Sequence, residues 1–235
     1  MVRVKWGVMW PAIVHLGKFQ ITWWWLYVLT ALVSSSFLIW RRLREDYPDE
    51  EIFTFNVFVL AAGIAGALAA GWLERGYFGA FSGWGMFVTG TAAIWQWCKR
   101  KKWDFWDLSD YLAVLSMWLW LLGSLALGPE RKLDMGFAAG GIIILSGVKN
   151  NYRKFRWYKS GKVGLTGLIG VLYFCAAEIS VAMLSPIKVY WGGLTAGQWI
   201  SSWTAAFTLV GIYIRAGRKP REEWWWPVKN KIYGS

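Results

Sequence analysis

Seven uncharged runs dominate this sequence: Phe19–Trp40, Ile52–Leu73, Phe81–Cys98, Tyr111–Gly128, Met135–Val148, Val163–Ile187 and Leu194–Ile214. Glu178 is the one Asp, Glu, Lys or Arg inside any of them. Six have 18 to 25 residues, enough for a helix rising ~1.5 Å per residue to cross a hydrocarbon layer of ~30 Å. The fifth, Met135–Val148, has 14 residues and reaches about 21 Å. A backbone crossing lipid must satisfy its own amides, so runs of this length read as helices. With 56% hydrophobic and 17% charged residues, the chain is too apolar for a water-soluble domain of its size. The expected fold is all-α: a polytopic integral membrane protein of about seven transmembrane helices in a single domain, 1–235.

The cations give the orientation. If the first helix runs inward, the inner segments 41–51, 99–110, 149–162 and 215–235 hold 3, 4, 6 and 6 of the 26 Lys and Arg. The outer segments hold the other 7. Positive residues favour the cytoplasmic side, so the N-terminus is expected outside and the C-terminus inside, in the cytoplasmic (inner) membrane. The net charge of +12 then reads as a topology signal and a surface for anionic lipid. Cations scattered over four membrane flanks do not make a nucleic-acid footprint.

Residues 1–18 lack the apolar core of a signal peptide, being interrupted by Pro11 and Gly17. With Trp6 and Trp10 at alternating positions, they read as an outer interfacial segment. Residues 216–235, with "EEWWWPVKNK", read as a basic, Trp-rich cytoplasmic tail. Amphipathic indoles favour headgroup depth. That accounts for Trp23, Trp24 and Trp25 at one end of the first run, and for Trp40, Trp95, Trp97, Trp103, Trp106 and Trp157 at inner helix ends.

No cofactor is expected, since His15 is the lone histidine and haem needs axial ligands. Cys98 and Cys175 fall at different depths and suggest neither a disulfide nor a metal site. Gly63, Gly66 and Gly71 form a small-residue packing face. "GKVGLTG" follows no strand and opens an apolar helix, which excludes a phosphate loop. Asp49 or its neighbours in "REDYPDEE" would cap the second helix. Asp104, Asp107 and Asp110 read as charges at the start of the fourth.

The order of several segments resembles the prolipoprotein diacylglyceryl transferases over nearly the whole chain. "WPAIVHLGKFQITWWWLYVL" is similar to the family's opening before its "HWYG" helix, and "IAGALAAGWLE" to its "GARL" element. "GWGMFVTGTAA" resembles "GGMSFHGG", and "KKWDFWDLSDYLAVL" resembles the basic loop and "DFWDLADLIAP" entry to the fourth helix. "GLTAGQWISSWTAAFTLVGIYIRAGR" resembles the last helix and basic tail. The resemblance implies seven spans, N-terminus out, and transfer of a diacylglyceryl group from phosphatidylglycerol to a lipobox cysteine.

It also marks where this chain departs. Thr22 and Trp24 stand where the opening pattern has His and Tyr, Leu68 at the second helix's Arg, and Thr89 at the "HGG" His. Ser124 and Leu127 replace the Arg and Asn of the fourth helix, and Cys175 replaces the Arg of the sixth. Glu178 falls one position from the family's acidic residue. Transfer chemistry needs a fixed cation or strong donors for developing negative charge, and a base. Neutral side chains supply neither. Thr22, Trp24, Leu68, Thr89, Ser124, Cys175 and Glu178 are therefore expected to be lipid-binding candidates, with Glu178 the lone catalytic candidate.

In "LYFCAAEISVAML", a helical repeat puts Gly164, Gly167, Val171, Cys175, Glu178, Ala182 and Ser185 on one stripe. Glu178 is then expected to face inward as a protonated or hydrogen-bonded group. Thr22, Thr89, Ser116, Ser124, Ser180, Ser202 and Thr204, or water, are the candidate partners. The expected function is a transferase-like protein without the standard activity, acting as a lipid-binding or structural subunit among other membrane proteins. A divergent but active transferase using Glu178, Thr89 and Ser124 is the alternative. A small transporter ranks last, because no polar path or inverted repeat is visible.

Overall fold

A computed structural model describes residues 12–16, 19–75, 82–127, 132–184 and 191–217. They form a short antiparallel ribbon and seven α-helices: β1 (Ala12–Leu16), β2 (Phe19–Thr22), α1 (Trp23–Leu43), α2 (Asp49–Arg75), α3 (Gly83–Lys101), α4 (Phe105–Leu127), α5 (Lys132–Asn151), α6 (Leu165–Leu184) and α7 (Ala196–Arg215). Each uncharged run contributes to one helix. Among the described residues, three helical segments are long and apolar enough to cross a membrane: Asp49–Leu73, Phe105–Leu125 and Leu165–Leu184. Large apolar side chains such as Phe53, Leu73, Ile143, Met183 and Phe207 are exposed, a surface suited to hydrocarbon and not to water.

The ends of two runs differ from expectation. Phe19–Thr22 does not begin α1 but pairs with Ala12–Leu16, His15 opposite Gln20; Ile, Val and Thr favour extended backbone. The short fifth run becomes a helix of 20 residues, about 30 Å long, because the flanking Lys132, Asp134 and Lys149 are helical too. Local chemistry sets other boundaries. The Pro48 carbonyl accepts from Glu51 N and Ile52 N at 3.1 Å each, opening α2 ahead of three acids in its first turn. Thr195 and Gln198 close a reciprocal capping box at α7.

The described chain forms two compact units: Met1–Phe105 with Leu115–Ala138, and Trp106–Val114 with Ala139–Ser235. In the first, α2 packs closely on α3. A Cβ at Gly66 would overlap the Thr89 side chain, and one at Gly85 would overlap the Gly66 carbonyl and the Ala70 methyl. Small residues thus let the two backbones meet, as read for Gly63 and Gly66. Tyr47 stacks on Trp103 with centroids 4.0 Å apart, and Phe55 and Trp97 complete this aromatic group. Trp103 is buried and Trp97 half-buried. These two indoles read as headgroup anchors in the sequence; they belong to the packing, whereas Trp95 is exposed.

The second unit is held by a polar knot at the start of α6. The Asp110 carboxylate accepts from Gly164 N at 2.6 Å and Gly167 N at 2.7 Å. Asp110 therefore caps α6 and not its own helix, which corrects the reading of it as an α4 end charge. Gly164 sits at φ +105°, and a Cβ there would meet the Trp106 ring. The Arg215 guanidinium lies 3.9 Å from the centroid of that ring. Its Nε donates to Val163 O at 2.7 Å, and Nη2 donates to the same carbonyl. Trp106 thus packs under a guanidinium, a third indole drawn from the expected anchors.

Tyr158 is buried with Tyr152, Leu165 and Ala216. Burial raises its phenol above the ordinary value, and its hydroxyl donates to Lys162 O at 2.8 Å. Lysine cannot supply the planar fork that serves Val163 while stacking on Trp106. Arg215→Lys is expected to cost about 1–2 kcal/mol, read as a lower midpoint of thermal unfolding in detergent micelles.

Candidate functional site

The seven candidate positions can be followed through this architecture. Thr22 ends β2, paired with Ala12, and Trp24 lies in the first turn of α1. Leu68 is 38% exposed on α2. Thr89, on α3, is half-buried; its hydroxyl donates to Gly85 O at 2.8 Å, and its side chain fills the hollow over Gly66. Ser124 is buried on α4. Thr22, Trp24, Leu68, Thr89 and Ser124 belong to the first unit, and Cys175 and Glu178 to the second.

On α6 the fully buried positions are Leu165, Thr166, Cys175 and Ala177, with Gly164, Gly167 and Gly170 buried as well. Val171, Glu178 and Ala182 are half-buried. The inward stripe thus holds at Gly164, Gly167 and Cys175. Glu178 stands one residue, or about 100° of helix, beyond fully buried Ala177. Ser185 lies outside the described residues. A carboxylate at the margin of a packed seam can reach polar groups at a surface while its stem stays covered.

Three of the hydroxyls considered as its partners are committed elsewhere. Thr89 donates to Gly85 O, Ser180 to Ala176 O at 2.8 Å and Ser202 to Gln198 O at 2.8 Å. Each is a bond to the carbonyl one turn back, where a short hydroxyl in an apolar setting finds its nearest acceptor. Both cysteines are free and buried. Among the described residues no cluster of His, Cys, Asp or Glu could hold a metal ion.

Sequence reading missed an apolar cleft between α1 and α2. It has a volume of about 240 Å³ and is lined by Ser36, Phe37, Trp40, Asp49, Ile52, Phe53 and Asn56. Trp40 Nε1 donates to Asp49 Oδ1 at 2.7 Å across its edge. Asp49, one of the residues expected to cap α2, stands in its first turn and joins the end of α1 to the start of α2. The cleft contains none of the seven candidates. A signal for it was present in Trp40 and Asp49 flanking a tight turn, but nothing in the sequence pairs an indole with a particular acid.

Taken within their separate units, the candidate positions supply hydroxyl and apolar side chains in the first and a thiol and a carboxylate in the second. The seven positions include no Lys, Arg or His to serve as a cation for phosphate. Compared with models of known protein families and with curated proteins, the chain matches none.

Proposed function

We propose that this chain is a diacylglyceryl transferase-like, seven-span protein of the cytoplasmic membrane, N-terminus outside. It lacks the standard transferase activity and serves as a lipid-binding or structural subunit of a membrane assembly. The observation that carries this reading is Thr89. At a position where the resembled chemistry needs a protonatable group, a neutral hydroxyl bonds its own helix and plugs Gly66. Leu68 and Glu178 are left with surface open to a lipid. Membrane phospholipid is the ligand class, and neighbouring membrane proteins are the partners that would cover exposed apolar faces.

The test is transfer from phosphatidylglycerol to a lipobox peptide by the purified protein in micelles. The expected result is no lipidation above that of protein-free micelles, with phospholipid and other membrane subunits co-purifying after gentle extraction. The rival reading, a divergent transferase, draws on half-buried Glu178 one turn from Cys175. Lipidation that disappears in Glu178→Gln would establish the rival and overturn the proposal.

A further inference from the structure

The positive residues of the described connections are not equivalent once their acids are counted. Residues 41–51 hold three cations against Glu45, Asp46, Asp49, Glu50 and Glu51, and Arg42 pairs with Asp46 at 3.5 Å. Residues 99–110 hold four against Asp104, Asp107 and Asp110, and Lys101 reaches Glu51 at 2.8 Å. Residues 149–162 hold Lys149, Arg153, Lys154, Arg156, Lys159 and Lys162 with no carboxylate at all. The α5–α6 connection is the place where positive charge stands uncompensated. Among the described residues, Arg153, Lys154, Arg156, Lys159 and Lys162 enter no ion pair.

A charge run is ordinarily a solvated, mobile loop. This one is anchored. Tyr152 and Tyr158 are buried against Leu165 and Ala216, Tyr158 donates to Lys162 O, and Ser160 Oγ donates to Arg215 O at 2.6 Å. With the two tyrosines turned in, Arg153, Lys154, Arg156, Lys159 and Lys162 bracket them and are exposed. Trp157 is 43% exposed and stacks on Phe155, 5.8 Å between centroids and 14° between planes. An exposed indole among cations, beside a helix of membrane-crossing length, matches the depth at which headgroup phosphates meet acyl chains.

We propose that residues 149–162 form a preorganised pad that binds anionic phospholipid headgroups. Phosphate contacts come from Arg153, Lys154, Arg156 and Lys159, and Trp157 enters the interface. Because the backbone is already fixed, binding does not have to order the loop. Recognition is by charge and not by headgroup shape, so phosphatidylserine serves as the probe against phosphatidylcholine. The pad is separate from the seven candidate positions. It rests on the proposed function for its embedding in a bilayer and shares phospholipid as the ligand class, but none of the residues.

The experiment is native mass spectrometry of the full chain in detergent, titrated with each lipid. The wild type is expected to retain phosphatidylserine over phosphatidylcholine, with the preference falling as salt rises. The variant R153Q/K154Q/R156Q/K159Q is expected to weaken phosphatidylserine retention roughly tenfold or more. An equal removal of charge, R41Q/R42Q/K99Q/R100Q, is expected to leave it within about twofold. An unchanged preference in the pad variant overturns the proposal, as does equal loss in the control. Preferential binding of an oligonucleotide over phosphatidylserine vesicles overturns it in favour of a nucleic-acid surface. Should the pad variant not fold, salt titration of the wild type decides: a preference insensitive to salt sinks the idea. Because no lipobox peptide is involved, these outcomes are independent of the transferase assay.

Discussion

Asp110→Ala is expected to lower the stability of the second unit by about 3 kcal/mol. The estimate follows from two buried backbone donors, Gly164 N and Gly167 N, that lose their acceptor at ~1–3 kcal/mol each. Asp110 is buried, so water cannot replace it cheaply. The first turn of α6 also loses the negative charge facing its positive end. Asp110→Asn keeps an acceptor oxygen but not the charge, and is expected to cost about half as much. At ~2–4 °C per kcal/mol for a chain of this size, Asp110→Ala should lower the melting midpoint in micelles by about 6–12 °C. A midpoint within a degree of wild type would mean that α6 is held by packing alone. The substitution separates two roles as well: a cap changes unfolding without changing which lipids co-purify.

This cap shows why the sequence was legible in one respect and opaque in another. Helix positions could be read because each is a local property: the absence of charge over Ile52–Leu73 or Leu194–Ile214 demands internal hydrogen bonding wherever it sits. Helix ends were less legible. Lys132 and Lys149 look like stops, yet long cationic side chains extend past a helix end without ending it, and Lys149 settles 4.7 Å from the Tyr111 ring centroid.

Asp110 was opaque because its partners lie 54 and 57 residues away. One clue was available. "GKVGLTG" opens α6 with no Ser, Thr, Asp or Asn immediately before Leu165, so its amides needed an acceptor from elsewhere. The glycines pointed the same way, towards close approach of Trp106 and Ser109 and away from phosphate. For the candidate site, residue type could be read and commitment could not. Thr89, Ser180 and Ser202 look like free donors in a list of side chains, and each is already bonded to a carbonyl of its own helix.

Gly85→Ala is expected to be a severe change in the first unit. The new methyl would meet the carbonyl of Gly66 and the methyl of Ala70, and a backbone oxygen inside α2 cannot rotate aside. The helices must part, giving up contacts along their length, at a cost of roughly 3 kcal/mol or more. Gly66→Ala meets the Thr89 side chain, including a Cβ fixed to the backbone of α3, and should cost a comparable amount. Thr89→Val is the informative partner of both. Valine keeps the branched shape over Gly66 and gives up one hydroxyl bond along its own helix, so the cost should stay below ~1 kcal/mol. If Thr89 instead coordinates a lipid, Thr89→Val would leave unfolding alone and reduce lipid retention. Measuring unfolding in micelles and co-purified phospholipid on the same three variants distinguishes the two. A packing plug predicts that Gly85→Ala and Gly66→Ala both lose far more stability than Thr89→Val, with lipid retention unchanged in the last. That outcome would place Thr89 in the architecture of α2 and α3.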